Sequence, residues 1–167
     1  MTEIELQLRQ EEARLVFLAV AYHLGRPGSE LDPITKQPVE HGLAEAARDL
    51  QPQLRLAVAT LRLGDAQVRR LLSGMLGSIT ELKAYPLLQP RPAAEGGGRR
   101  SSVPGFDISL SHLFPEVEED AERALEVAER MLLLKRRLDQ RLAGLSPADD
   151  PPPGERRRRW PFGRGRA

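Results

Sequence analysis

The sequence predicts an all-α protein, a helical bundle of about three to four helices with a disordered linker and tail. Apolar residues recur every three or four positions in several segments, a longer segment keeps a heptad pattern, and glycine and proline concentrate between them. We expect four parts. They are a three-helix module over 1–85, a flexible linker over 86–115, a long amphipathic helix over 116–145 and a disordered basic tail over 146–167.

The first helix is predicted to begin at Thr2 and to end at Gly25. The Thr2 hydroxyl can cap the first turn, and Glu5 three positions later completes a capping box. Pro27, just after Gly25, is typical of a helix end. The apolar residues of this helix that recur at near-helical spacing are Ile4, Leu8, Leu15, Leu18 and Tyr22.

A second helix is predicted over residues 40–63, because its apolar residues keep a helical phase across Pro52. Proline lacks the amide hydrogen and crowds the preceding turn, so we expect a kink at Pro52. A third helix begins at Asp65 and stops before Pro86. Its Gly74-x-x-Gly77 pattern indicates a helix crossing point or a weak spot in the helix.

Residues 86–115 are rich in proline, glycine and serine, and so long a segment without periodic structure is typical of a linker. One short part differs. Phe106, Ile108 and Leu110 alternate with polar residues, which is strand periodicity. This strand either docks on the bundle, which we favour, or pairs with a strand of a partner.

The fourth and longest helix is predicted from Pro115 to Leu145, a length of about 45 Å. Its apolar seam follows a heptad repeat and is the predicted interface with a partner helix. The seam contains Val117, Ala121, Ala124, Ala128, Met131, Lys135, Leu138, Leu142 and Leu145. Residues 116–129 carry net charge −6 and residues 130–145 carry +4. This division suits the dipole of a single helix, and it also suits antiparallel pairing of two copies.

The C-terminal tail is strongly basic. Residues 155–167 carry net charge +5, so the remainder of the chain, whose total is +1, carries −4. Three interpretations stay open: a solubilising disordered end, contact with nucleic acid, or contact with an anionic membrane surface. The residues that would make such contacts are Arg156, Arg157, Arg158, Arg159, Trp160, Phe162, Arg164 and Arg166.

No motif in the sequence indicates catalysis, and we expect no enzyme activity, cofactor or metal. Cysteine is absent, and His23, His41 and His112 lie in separate segments without a helical histidine pair. The apolar run from Leu15 to Tyr22 is much shorter than the roughly 20 residues that span a bilayer. Because the first twelve residues are acidic rather than basic, no secretory signal is expected, and we predict a cytoplasmic protein.

Residues 15–85 contain a series of short motifs in a fixed order: Leu24-Gly25, Asp32-Pro33, Leu43-Ala44, Leu71-Leu72, Leu82 and Tyr85. In this order they resemble a small, uncharacterised family of bacterial helical domains. Members of that family usually carry a Thr-x-Gly-like turn before the last helix, where this chain has the segment 60–65. The resemblance implies a helical fold and no established activity.

Together these patterns predict a non-catalytic helical interaction or scaffold protein that self-associates or binds a protein partner through residues 117–145. The alternative is an accessory nucleic-acid-binding protein that uses the arginine-rich tail, or a protein that touches a membrane surface through the same tail.

Overall fold

A computed structural model describes residues 3–88 and 101–145 and is mostly helical, with one small antiparallel sheet of two strands in that part of the chain. The elements in chain order are β1 (Glu3–Arg9), α1 (Gln10–Gly25), α2 (Leu43–Leu50), β2 (Val58–Gly64), α3 (Asp65–Ala84), α4 (Phe106–Leu113), α5 (Glu116–Glu119) and α6 (Arg123–Leu145). Short 3-10 turns at Gln51–Gln53 and Tyr85–Leu87 follow α2 and α3.

The helix predicted to begin at Thr2 begins instead at Gln10, and β1 precedes it. Ile4 and Leu8 fit both assignments, because a spacing of four is close to one helical turn and is also two strand repeats. Leu6 decides between them. Leu6 and Leu8 are both buried, so alternate side chains point into the core, as in a strand. The backbone of this segment pairs with β2.

The predicted kinked helix over 40–63 is wrong in its second half. Helix α2 ends at Leu50, Pro52 lies in a 3-10 turn, and the chain then enters β2. Residues of β2 alternate between buried and exposed, with Ala59, Leu61 and Leu63 facing the core. An all-α fold is therefore a correct description of most of the chain and not of β1 and β2.

Both outer edges of the sheet are partly covered by side chains. The Gln53 amide donates to the Thr60 carbonyl at 3.1 Å and accepts from the Thr60 amide at 2.9 Å, as a neighbouring strand would. On the other edge, Arg141 of α6 donates to the Glu5 carbonyl at 3.2 Å. Side chains that occupy edge groups in this way hinder pairing with a strand of another chain.

Helix α1 is the centre of the core, and α3 crosses it where the glycines predicted to mark a crossing point lie. A Cβ atom on Gly74 would lie 2.8 Å from the carbonyl oxygen of Ala19, and one on Gly77 would overlap the ring of Tyr22. Gly74 is buried, and Met75 beside it is fully buried. The two backbones can therefore approach closely only because these positions lack side chains.

The strand predicted from Phe106 to Leu110 is wrong, because these residues form helix α4. Phe106, Leu110 and Leu113 lie on one helical face and are buried, and the Phe106 ring packs against the Tyr22 ring of α1 in a T-shaped arrangement with centroids 5.7 Å apart. Part of the segment predicted as a flexible linker is thus folded against α1. The rest of that segment, residues 89–100, lies outside the described residues.

The long helix predicted from Pro115 to Leu145 is interrupted. Asp120 adopts an extended conformation after α5, and its side-chain oxygen accepts a hydrogen bond from the Glu122 amide at 3.0 Å. Aspartate favours this role because its carboxylate can take over a backbone amide that has no helical partner. The continuous helix therefore begins at Arg123.

The loop between α1 and α2 is held by two acidic residues. One oxygen of the Glu30 carboxylate pairs with Nε2 of the buried His23 ring at 2.7 Å, and its second oxygen lies 3.4 Å from the Ala44 amide at the start of α2. Asp32 accepts bonds from the Ile34 and Thr35 amides, and these bonds lower the pKa of Asp32. Lys36 completes this turn with φ of 58°, a conformation that glycine adopts more readily.

Substituting Gly77 with alanine should destabilise the protein, since the new methyl group overlaps Tyr22. We expect a loss of about 1–3 kcal/mol in the free energy of unfolding, measured by urea denaturation. Gly144→Ala is the matched control, because nothing lies within 4 Å of the added atom near the end of α6. That variant should gain roughly 0.5 kcal/mol from helix propensity. Equal effects of the two substitutions would contradict the close crossing of α1 and α3.

Candidate functional site: a basic groove beside α1 and an acidic face on α6

The predicted partner seam on the long helix faces the interior of its own chain. Val117, Ala124, Ala128, Met131 and Leu138 are buried. Ala121 and Leu142 are half-buried and pack against the same core. These side chains contact elements that include α3 and α1, so the heptad pattern reflects packing within one chain. The Leu145 side chain lies outside the description, although Leu145 is the last residue of α6.

The basic half of α6 binds the N-terminal half of the fold. Arg130 contacts Glu11 at 2.7 Å and Arg137 contacts Glu12 at 2.5 Å. Glu12 also accepts a hydrogen bond from the Arg9 amide at 2.9 Å, which caps α1. Burial raises the pKa of Glu12, but the Arg9 amide and the Arg137 guanidinium together lower it further, so its net pKa lies below the usual value. The charge division within α6 thus has an intramolecular role.

A different face of α6 is directed outward, and we call it the acidic face. It comprises Leu125, Glu126, Glu129 and Leu133 of α6, together with Glu122 in the turn just before the helix. Leu125 and Leu133 are 42% and 59% exposed, which is high for leucine. Glu126 forms ion pairs with Arg123 and Arg130, whereas the side chains of Glu122 and Glu129 have no ion-pair partner in the described part of the chain. This face therefore combines apolar side chains with uncompensated negative charge.

A groove of about 690 Å³ opens between the first half of α1, the turn after α2, and α4. We call it the basic groove. Its lining comprises Arg14, Phe17, Gln51, Pro52, Leu54, Arg55, Ile108, Ser109, His112, Leu113 and Pro115. Pro52 lies in the 3-10 turn that follows Leu50, so this wall of the groove is formed by a turn and not by a continuation of α2.

The charge of this groove is of one sign. Arg14 and Arg55 carry fixed positive charges, His112 adds a titratable group, and the lining contains no carboxylate. Within the described residues, neither arginine forms an ion pair or side-chain hydrogen bond. Ile108, on the α4 wall, is 60% exposed. A groove with unpaired guanidinium groups and accessible apolar surface can bind a ligand that is both acidic and apolar.

A second cavity, of about 630 Å³, lies between α2, β2 and the start of α3. Its charges are mixed, with five carboxylates, three arginines and His41 in the lining. Several of them are already occupied: Arg62 contacts Glu5 at 3.1 Å, and Arg70 donates to the His41 carbonyl. The Arg62 side chain, the Gln7 amide and the charge of Arg62 lower the pKa of Glu5. This cavity presents no single chemical preference.

The three histidines lie in separate parts of the structure. His23 pairs with Glu30 inside the fold, His41 lies 3.3 Å from Glu45 on the surface, and His112 lines the basic groove. In residues 3–88 and 101–145, no three histidine, aspartate or glutamate side chains are grouped as metal ligands would be. The tail residues Arg156–Arg166, predicted to contact nucleic acid or a membrane, lie outside the described residues, and that prediction is untested.

Sequence patterns did not point to the basic groove. Arg14 lies in α1 and Arg55 in the turn before β2, far apart along the chain, and neither belongs to a basic cluster. The sequence pattern predicts a strand at Ile108, whereas this residue lies in helix α4, which forms one wall of the groove. The only available signal was Pro52, whose effect on the backbone path depends on the whole fold.

Comparison with known proteins gave no match to a family model, a curated protein or a solved structure. The resemblance of residues 15–85 to a family of bacterial helical domains therefore stays a prediction. Among the described helices, none combines the length and the apolar character that a bilayer crossing needs.

Substitutions of two leucines in α6 test whether the seam faces the core of its own chain. Leu138→Asp places a carboxylate in the core and should cost about 3 kcal/mol or more in the free energy of unfolding. Leu133→Asp changes a residue that is 59% exposed and should alter stability by no more than about 0.5 kcal/mol. Thermal and urea denaturation measure both. A stable Leu138→Asp variant would show that the seam faces outward.

Glu12→Gln tests the attachment of α6 to α1. Because the folded-state pKa of Glu12 is lowered, its charge stabilises the fold above the unfolded pKa of about 4.3, and this contribution disappears as the pH falls through the folded value. The variant should be less stable by about 1 kcal/mol at pH 7 and should approach the parent protein below about pH 4. A stability difference that does not change with pH would contradict this role.

Proposed function

We propose that this chain is a non-catalytic helical interaction or scaffold protein that self-associates through the outward face of α6. The acidic face carries this proposal. Its two leucines expose apolar surface on a helix whose other side is fully used by the core. Two leucines on the same outward face give the helix apolar area that a partner can bury.

The seam residues themselves are poor candidates for this contact. A partner could reach Met131 or Leu138 only if α6 separated from the rest of the fold, which would expose its core and break the ion pairs to Glu11 and Glu12. The outward face needs no such rearrangement. Association through it leaves the fold of each copy unchanged.

The covered sheet edges support the same choice. Gln53 and Arg141 occupy edge groups of β2 and β1, so strand pairing is a less accessible route to assembly than a helix face. A helix–helix contact also gives a role to both residue types on the acidic face. The leucines supply contact area, and the carboxylates restrict the partner to a surface of positive charge.

Leu133→Asp should weaken association without lowering the melting temperature. Light scattering and analytical ultracentrifugation over a range of protein concentrations measure the association of the full chain. Ile34→Asp is the control, because Ile34 is 88% exposed at the turn between α1 and α2, away from α6. The control should associate as the parent protein does. A parent protein that stays monomeric at all concentrations would contradict the proposal.

A further inference from the structure

We infer that the basic groove of one copy receives the acidic face of α6 from a second copy. This inference rests on the proposed self-association and names the surface that the acidic face contacts. The two surfaces are different parts of the molecule, so the contact is head-to-tail. Such a contact produces rings if the rotation between copies closes, and open chains if it does not.

Charge complementarity is the first argument. The groove contains Arg14 and Arg55, which lack partners among the described residues, and no carboxylate lines it. The acidic face contains Glu122 and Glu129, which likewise lack cationic partners in the described part. Each surface therefore carries the charge that the other lacks. Bidentate pairing of guanidinium with carboxylate would orient the incoming helix.

Apolar complementarity is the second argument. Leu125 and Leu133 are separated by eight positions, or about 12 Å along a helix, and both are exposed. The groove offers Phe17, Leu54 and the exposed side chain of Ile108. Burying leucine side chains against these residues removes apolar surface from water on both copies.

The walls of the groove are conformationally restricted before a partner binds. Pro52 and Pro115 stand in its lining, and their rings restrict the backbone of the walls. Gln51 and Ser109 have side chains without a hydrogen bond in the described structure, so they can bond to polar groups of an incoming helix. Preformed walls reduce the entropy that is lost on binding.

Nucleic acid fits this groove less well. The lining supplies two fixed cations and much apolar surface, whereas phosphate backbones are bound by many cations. An acidic helix with two leucines uses both parts of the lining.

Two charge-reversal variants of the full chain test the inference. The groove variant is Arg14→Glu with Arg55→Glu, and the face variant is Glu122→Arg with Glu129→Arg. Each should be folded by circular dichroism and should weaken self-association by about tenfold or more. Arg69→Glu on α3 is the matched control, since this exposed arginine does not line the groove. It should associate as the parent protein does.

Mixing the two variants gives the decisive measurement. The face variant keeps an intact groove and the groove variant keeps an intact acidic face, so mixing the two variants should restore the association that each variant alone has lost. A single chain that carries all four substitutions should regain self-association, because the charges are exchanged rather than removed. Sedimentation velocity measures both results.

The outcomes separate this inference from the proposed function. If the parent protein associates, Leu133→Asp weakens it and the groove variant does not, the inference is wrong and the proposed function stands. If the groove variant weakens association but the face variant does not, the groove receives a different segment and the inference is also wrong. A parent protein that never associates overturns both.

Discussion

The close approach of α3 to α1 is the constraint on which the rest of the structure depends. Gly74 places the α3 backbone against the Ala19 carbonyl, and Gly77 leaves room for the Tyr22 ring. Tyr22 is fixed by this contact and presents its ring to Phe106, which anchors α4. The position of α4 then determines one wall of the basic groove.

The same helix also organises the sheet and the long helix. Arg9 closes β1 and precedes α1, and Glu12 binds both the Arg9 amide and Arg137 of α6. One carboxylate therefore joins the strand, the central helix and the final helix. Leu6 and Leu8 add apolar contact beneath this junction. The fold consequently forms one continuous core that includes residues from both the predicted N-terminal module and the predicted long helix.

Sequence periodicity predicts the helices that have one sustained apolar face. It gives the wrong element where the spacing of the apolar residues fits a helix and a strand equally well. The α3 helix and most of α6 were predicted because their apolar spacing is sustained over several turns. Ile4 and Leu8 fit a helix equally well, and only pairing with the distant strand β2 distinguishes the two. Strand pairing across such a separation is not visible in a local pattern.

The candidate site was beyond prediction for a related reason. The heptad of α6 correctly marks a packed surface, but a heptad pattern is the same whether the partner helix belongs to the same chain or to another. The basic groove depends on where Arg14, Arg55 and Ile108 meet in three dimensions, and no spacing along the chain encodes that meeting. Residues on the acidic face were recognised only as a net charge.

The charged residues on the two halves of α6 have different surroundings within the described structure. Arg130, Arg137 and Arg141 contact α1 and β1 within the chain, whereas Glu122 and Glu129 form no ion pair among the residues that the structure describes. If the acids were needed for folding, they would have intramolecular partners, as Glu11 and Glu12 do. Their outward position beside exposed leucines makes them available for an intermolecular role at little cost to stability. Residues on this outward face can therefore be substituted with little effect on the core, whereas the buried seam residues stabilise the fold.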